Sequence, residues 1–317
     1  GNITPLLHSF ICGVVRSGDD IEAVVLATKK GLRAVRGRVF VDATGDADVV
    51  YHAGCPWEMG ETGRLQYPSM QFFVQNVDMQ KAFAELRTLA DKIHDAYEKQ
   101  TYALTRAAGA VIPTMREGEA VGAMTRVAKP SGDVPDGTDV FDLTEAEMRG
   151  RAIVEEASRF LKEEIPGFGS AFLQDTATTL GVRETRHALG DHVLTFEEAA
   201  ACAKFPDGIA CSAWPFEFHT EGPDTRWDFL PAGDWFEIPF RSLVARDVSN
   251  LLVAGRCISA THEALASSRV TGVCMAIGEA AGTAAATAVA EGRAPRVLDG
   301  SKLRADLEAR SVLPRRS

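Results

Sequence analysis

Residues 250–290 read NLLVAGRCISATHEALASSRVTGVCMAIGEAAGTAAATAVA, and the interpretation of this stretch decides the fold. Leu251–Ala254 is a short apolar run without alternation, the pattern of a strand covered on both faces. Gly255-Arg256 stops it. After a polar connection, Ser267-Ser268-Arg269 leads into a long segment dense in alanine, the best helix former. Gly272, Gly278 and Gly282 interrupt that helix, at a cost of up to about 1 kcal/mol each. Such glycines predict a close neighbour: a sheet underneath, or a ligand at the helix start. There the free N–H groups and the positive dipole end favour electron-rich atoms.

The chain has 317 residues, enough for two packed domains, and its 45% hydrophobic and 25% charged content is ordinary for a globular protein. A formal net charge of −10 argues against nucleic acid, whose phosphates need a basic face. No apolar run is expected to span a membrane, the alanine-rich helix being too polar and too broken by glycine. Its Gly278/Gly282 spacing matches a membrane-dimer motif, but close helix–sheet packing is the better reading. Cys12, Cys55, Cys202, Cys211, Cys257 and Cys274 are scattered, with no Cys-x-x-Cys pair and no histidine at ligand spacing. This predicts no metal and a reducing, cytoplasmic setting.

Upstream, Leu6–Arg16, Ile21–Thr28 and Leu32–Arg36 alternate with turn residues and predict a β-meander. Arg38–Asp42 reads as a buried strand ending in Ala43-Thr44-Gly45-Asp46. In a doubly wound sheet ligands sit at the carboxyl ends of strands, so this turn lies where a dinucleotide would. Gly45 permits close backbone approach, and Thr44 or Asp46 can cap a helix over Ala47–Ala53. Alone, the tetrapeptide is equally an ordinary strand–helix corner. No Gly-x-Gly-x-x-Gly follows a strand anywhere in the chain. From about Cys55 the texture changes. Met70–Val77 reads as a strand, and residues 78–107 as helical, with Phe83, Leu86, Leu89 and Ile93 on one face. Residues 127–141 read as loop, and Thr144-x-x-Glu147 as a capping box opening a helix to Glu164.

Arg183 and Arg186 would share a face on a helix but not on a strand, with Glu184 able to neutralise one. The bland reading is a solvated ion-pair cluster. His219, after Trp214-Pro215-Phe216, has a ring that titrates near neutrality and suits proton transfer, although a lone histidine is more often structural. Trp235–Arg241 offers aromatic walls and an anchoring arginine, and His262-Glu263 is the runner-up acid/base pair. Cys257 reads as a small buried residue rather than a redox thiol.

Residues 250–290 follow, in order, VDATGDADVVYHAG (41–54), GVRETRHALGDHVLT (181–195) and WFEIPFRSLVARDVSNLLVAGR (235–256). Together these segments resemble the FAD-dependent oxidoreductase family of the glutathione-reductase-like flavoprotein superfamily. The resemblance implies an α/β fold, with a doubly wound FAD/NAD(P)-binding domain, incomplete at its N-terminus, and an inserted α+β substrate domain. The expected boundaries are 1–57 and 247–295 for the FAD domain, 58–246 for the substrate domain, and 296–317 for a tail with a short helix. It further implies that FAD meets the backbone of Ile11 at its adenine, Ala43, Thr44, Gly45, Asp46, Gly255 and Arg256 along its middle, and Arg269, Val270, Thr271 and Gly272 at the pyrimidine edge. His219 would be the base, Arg241 the substrate anchor, Arg183 and Arg186 holders of anionic oxygens, and His262 the alternative base. His219, Arg241 and the Arg183/Arg186 pair are expected to converge near Arg269–Gly272. The implied activity is hydride transfer between a small polar substrate and the flavin. In the family the Gly-x-Gly-x-x-Gly unit lies upstream of the first strand seen here. The chain therefore reads as a fragment, as one subunit whose partner chain supplies that unit, or as a flavin-free remnant.

Overall fold

Ser17-Gly18-Asp19 and Lys29-Lys30-Gly31 separate the first β-rich runs, and in the computed structural model they turn an antiparallel meander. Its strands are β1 (Phe10–Ser17), β2 (Asp20–Thr28) and β3 (Gly31–Arg36), in that order across the sheet. β1 starts later than expected because the ladder opens at Phe10↔Ala27; the preceding Ile3, Leu6 and Leu7 are exposed. The structure describes residues 2–60, 64–85, 87–220 and 222–314. Expectations that touch Gly1, Leu86 and residues 315–317 lie outside them.

β4 (Phe40–Asp42) pairs in parallel with the strand Leu251–Val253, more than two hundred positions later, in the register Phe40↔Leu251 and Asp42↔Val253. This parallel pairing is the one the two glycine-ended apolar runs call for. The turn after β4 opens α1 (Asp48–His52), and β5 (Trp57–Met59) follows.

The fold is mixed α/β and divides into two compact units. The second unit, Arg64–Glu184 with Phe218–Arg226, holds β6 (Phe72–Gln75), α2 (Met79–Glu85), α3 (Leu89–Lys99), β7 (Ala110–Pro113), β8 (Ala120–Ala123), α4 (Val140–Glu164) and β9 (Phe172–Thr176). Its antiparallel sheet runs β7-β8-β6-β9, and Met70, Phe72, Met124 and Phe160 lie in its core. The single helical stretch expected over 78–107 is instead two helices, and α3 ends at Gln100, which sits in the left-handed region at φ 52°. α4 begins earlier than the expected capping box. Asp139 caps it by accepting from the N–H groups of Phe141 and Asp142, both at 2.9 Å, while Thr144 donates to the Val140 carbonyl.

The first unit comprises Gly1–Gly63, Thr185–Glu217 and Trp227–Ser317. After the meander, β4, α1 and β5, it holds β10 (Arg186–Ala188), α5 (Phe196–Ala200) and β11 (Gly208–Ser212). β12 (Phe216–Phe218) and β13 (Arg226–Asp228) straddle its edges; β14 (Phe236–Pro239) and β15 (Leu251–Val253) follow. The unit ends in α6 (His262–Ser268), α7 (Thr271–Glu291) and α8 (Gly300–Ala309). The sequence reading places Thr185–Glu217 in the inserted domain. It belongs to the first unit because β10 pairs with β5, and β11 pairs with β14 and packs on α7 and α8.

α6 occupies what the pattern shows only as a polar connection; Thr261 caps it by accepting from the N–H of Ala264 at 3.4 Å. α7 buries Val273, Ile277, Ala280, Ala281, Ala284 and Ala288. Contrary to the sequence reading, its 21 residues are long and apolar enough to cross a membrane by length and composition alone, with a mean hydropathy of 1.4 over the best window. Alanine, with Val273, Cys274, Met275, Ile277 and Val289, produces that value. One face is nonetheless packed against protein, as in a core helix.

Candidate active site at the ends of the parallel strands

Everything at the turn after β4 is held by Asp42, which is wholly buried. One carboxylate oxygen accepts from the Thr44 N–H and hydroxyl at 3.1 and 2.7 Å; the other accepts from the N–H groups of Val49 and Val50 at 2.8 and 3.1 Å. A single side chain thus closes the turn and satisfies the first free donors of α1. Thr44 in turn accepts from the N–H of Asp48 at 3.1 Å. Gly45 has φ +83°, and a Cβ there would lie 2.8 Å from the Arg256 guanidinium. Ala47 also takes a left-handed conformation, φ 53°, an uncommon one for a residue with a side chain.

Arg256, from the turn after β15, lies over Gly45. It is ion-paired with Asp46 at 2.9 Å and donates to the Thr185 hydroxyl at 3.0 Å; that hydroxyl donates to Asp46 at 2.6 Å. Arg186 donates to the Asp46 carbonyl at 2.9 Å, pairs with Asp48 at 2.5 Å and stacks 4.3 Å over the Tyr51 ring. Burial, set against the pull of Arg186, raises the Asp48 carboxyl above its ordinary range. Each arginine is matched by a carboxylate, so the turn is a fixed network of donors rather than a bare positive patch.

Gly255, φ +78°, faces open space: no atom lies within 4 Å of an added Cβ. Thr271 and Gly272, at the start of α7, are exposed, no side chain caps that helix, and no atom lies within 4 Å of a Cβ added at Gly272. The N–H groups of its first turn therefore have no capping partner among the described side chains. The expected close neighbours of Gly278 and Gly282 are not there either, because both glycines sit on the exposed side of α7. Arg269 donates to the Glu217 carbonyl at 3.1 Å. Cys257 is completely buried, its thiol near the Asp42 and Ala254 carbonyls, and burial pushes it up to about 12, which excludes a reactive thiolate.

The other expected residues are held as follows. Ile11 pairs with Leu26 in the meander. Arg241 is ion-paired with Asp207 at 3.0 Å, in a depression of about 520 Å³ lined also by Asp191, Phe240, Arg296 and Ser301. None of Arg269–Gly272 lines that depression. His219 and Arg183 lie in the second unit. The Tyr67 N–H donates to the His219 carbonyl at 2.7 Å, Arg183 donates to the Tyr67 carbonyl at 2.7 Å, and Nδ1 of His219 is 3.3 Å from the Thr225 hydroxyl. His219 is buried. His262 is the first residue of α6 and also buried. Its neighbour His187, 1% exposed, has no hydrogen-bond partner on either ring nitrogen among the described residues; burial first, and then His262, lower it to about 4. Among the described residues no group of three or more His, Cys, Asp or Glu side chains could hold a metal ion.

Asp42, Thr185 and His187 were not anticipated. Asp42 could have been found, because an acidic residue ending a buried strand needs a partner and the helix start beside it supplies donors. Thr185 could not, since its partner Asp46 is 139 positions away.

The observations that bear on FAD are the uncapped start of α7, the open space at Gly255 and the Gly45 turn, which a Cβ would fill. These fit one part of a flavin dinucleotide. A strand–Gly-x-Gly-x-x-Gly–helix for the pyrophosphate is absent from the sequence. A family model described as FAD dependent oxidoreductase matches residues 1–307. No curated protein gives a significant match. Among solved structures, the chain is similar to a geranylgeranyl bacteriochlorophyll reductase-like protein from Thermoplasma acidophilum, at 12% identity and TM-score 0.42, over 95% of this chain and 54% of that one. It is likewise similar to p-nitrophenol 4-monooxygenase PnpA from Pseudomonas putida DLL-E4, at 12% identity and TM-score 0.42, over 94% and 52%. A third is the flavin-dependent brominase Bmp2, at 12% identity and TM-score 0.41, over 95% and 55%. The chain spans about half the length of these structures.

Proposed function

The chain belongs to the FAD-dependent oxidoreductase family, whose cofactor is FAD, and from that premise we propose that it serves hydride transfer between a small polar substrate and the flavin. The observation that carries this reading is the uncapped start of the 21-residue α7 together with the open space at Gly255. The parallel β4/β15 pair, with a glycine turn at the carboxyl end of each strand, supports a doubly wound FAD domain with an inserted substrate domain. When bound, FAD supplies a two-electron acceptor or donor, and the protein supplies position and protons.

Val270, Thr271 and Gly272 would present their N–H groups, Gly255 would allow close approach, and Arg256, locked by Asp46 and Thr185, would donate from a fixed position. Ile11, Ala43, Thr44 and Gly45 would contribute backbone. His219 would take or return the substrate proton, its ring oriented by Thr225, with Arg183 holding an anionic oxygen; His262 is the alternative base. Arg186 acts as a positioning residue through Asp46 and Asp48, and Arg241, paired with Asp207, would anchor substrate only after leaving that partner. Six free cysteines suit a cytoplasmic enzyme, and the acidic chain suits a small-molecule rather than a nucleic-acid partner.

The Gly-x-Gly-x-x-Gly unit would come from another segment or a separate chain. Supporting this, β15 is the only ladder partner of β4 among the described residues, although parallel strands are normally flanked and covered. Ile3, Leu6, Leu7 and Met275 are also exposed. The missing motif equally favours a second reading, a flavin-free subunit that lends a substrate domain. Flavin absorbance of the purified protein after FAD and a strand–Gly-x-Gly-x-x-Gly–helix segment are added separates the two: a bound, shifted flavin spectrum supports the first, and its absence the second.

A further inference from the structure

Three aromatic side chains of the first unit stand in a row in solvent. Trp214 is 44% exposed, Trp227 41% and Phe229 77%. The Trp214 and Trp227 rings have centroids 6.3 Å apart with planes at 60°; Trp227 and Phe229 are 6.5 Å apart and nearly parallel, at 21°. Each ring contacts the next, and all three remain partly open to solvent. The row is not a floppy accident of the surface. The Trp214 N–H donates to the Ser212 hydroxyl at 3.3 Å, and its carbonyl accepts from the Ser267 hydroxyl at 2.6 Å, while those two hydroxyls lie 3.0 Å apart and both serines are buried. Three residues on, the Glu217 carbonyl accepts from Arg269. Residues 214–217 are therefore pinned to the end of α6 and the residue that leads into α7, the helix whose start carries the flavin reading.

We propose that Trp214, Trp227 and Phe229 form a stacking ladder for a neutral oligosaccharide, so that the substrate class of the oxidoreductase is a carbohydrate; the second clause rests on the flavin reading above, the first does not. The ladder is open to solvent along its length, each ring being 41–77% exposed. A flat aromatic molecule would leave one apolar face in water there, whereas small-molecule sites usually enclose most of the ligand. A sugar ring has one apolar C–H face to lay on an aromatic ring and hydroxyl edges that stay hydrated. Successive aromatic rings about 6.4 Å apart offer a face to each of several linked sugars. A net charge of −10 disfavours an anionic polymer and leaves a neutral one.

The test uses the full chain and intrinsic tryptophan fluorescence, titrated with hexaoses of glucose (α1,4, β1,4 and β1,3 linked), mannose and galactose. A saturable fluorescence change is expected with at least one of them, weakened about tenfold or more in both Trp214→Ala and Trp227→Ala, with circular dichroism unchanged. Phe229→Ala, at the exposed end, gives the same direction should either tryptophan variant fail to fold. No response to any hexaose overturns the proposal. So does a response to indole alone, or a concentration-dependent self-association that Trp214→Ala abolishes, which would make the ladder an interface. Because sugar binding needs no flavin, sugar binding with no flavin bound even after the strand–Gly-x-Gly-x-x-Gly–helix segment is added sinks the oxidoreductase reading alone, and the converse sinks only the ladder.

Discussion

Asp42 is where one side chain does most for the turn, accepting from Thr44 twice and from Val49 and Val50 while fully buried. Asp42→Ala leaves those donors unpaired and should destabilise the chain by about 2–4 kcal/mol, read from chemical denaturation; a loss under about 1 kcal/mol would mean that water replaces the carboxylate. Gly45→Ala should cost about 1–2 kcal/mol for the left-handed backbone and displace Arg256 as well, so flavin affinity should fall further than stability predicts. His187 sets a pH dependence. Its folded-state value, about 4, lies below the ordinary 6.5, so between these the unfolded chain binds more protons than the folded one. Stability from this group is present above pH 6.5 and is lost as pH falls toward 4, by up to about 3 kcal/mol. Denaturation midpoints at pH 7 and pH 5 should differ in the native chain and differ less in His187→Leu; equal slopes would clear His187 of the effect.

At the scale of elements, what was legible was what is local. The meander, the β4 strand with its glycine turn, α4's end at Glu164 and the alanine-rich α7 each announce themselves within a dozen residues. α6 did not, because a seven-residue helix of His, Glu, Ala, Leu and Ser, buried along most of its length, shows no amphipathic period. Nor did the membership of β10 and β11 in the first unit, which depends on partners far away in sequence, β5 and β14 with α7. Gly278 and Gly282 were read as marks of close approach, yet they face open space. Substituting alanine at either should therefore stabilise this chain by about 0.5–1 kcal/mol. If the completing strand–helix unit packs on that face of α7, the same substitutions should weaken its capture, measured by titrating that segment and following flavin uptake. Unaltered capture would place the unit elsewhere.

At the scale of the whole molecule, the proposed residues are distributed over both units. The residues proposed to meet a flavin, Gly45, Arg256 and the start of α7, belong to the first unit, and the proposed base His219 with Arg183 belongs to the second. The residues proposed for FAD would make only a partial site, so FAD titration of this chain should give weak or no binding, and addition of a strand–Gly-x-Gly-x-x-Gly–helix segment should strengthen it many-fold; tight stoichiometric binding without help would overturn that. In the complemented enzyme, His219→Asn keeps a ring-sized polar group beside Thr225 but cannot accept and return a proton near neutrality. Flavin reduction by substrate should then slow by about 10²–10⁴-fold with FAD affinity unchanged, since no described first-unit cofactor contact involves His219. The pH profile separates this from a structural defect. A lost base removes the limb that rises through neutrality, whereas a loosened fold lowers the whole curve and keeps its shape. If reduction is unchanged in His219→Asn, the proton belongs to His262, and His262→Asn should show the same loss of that limb.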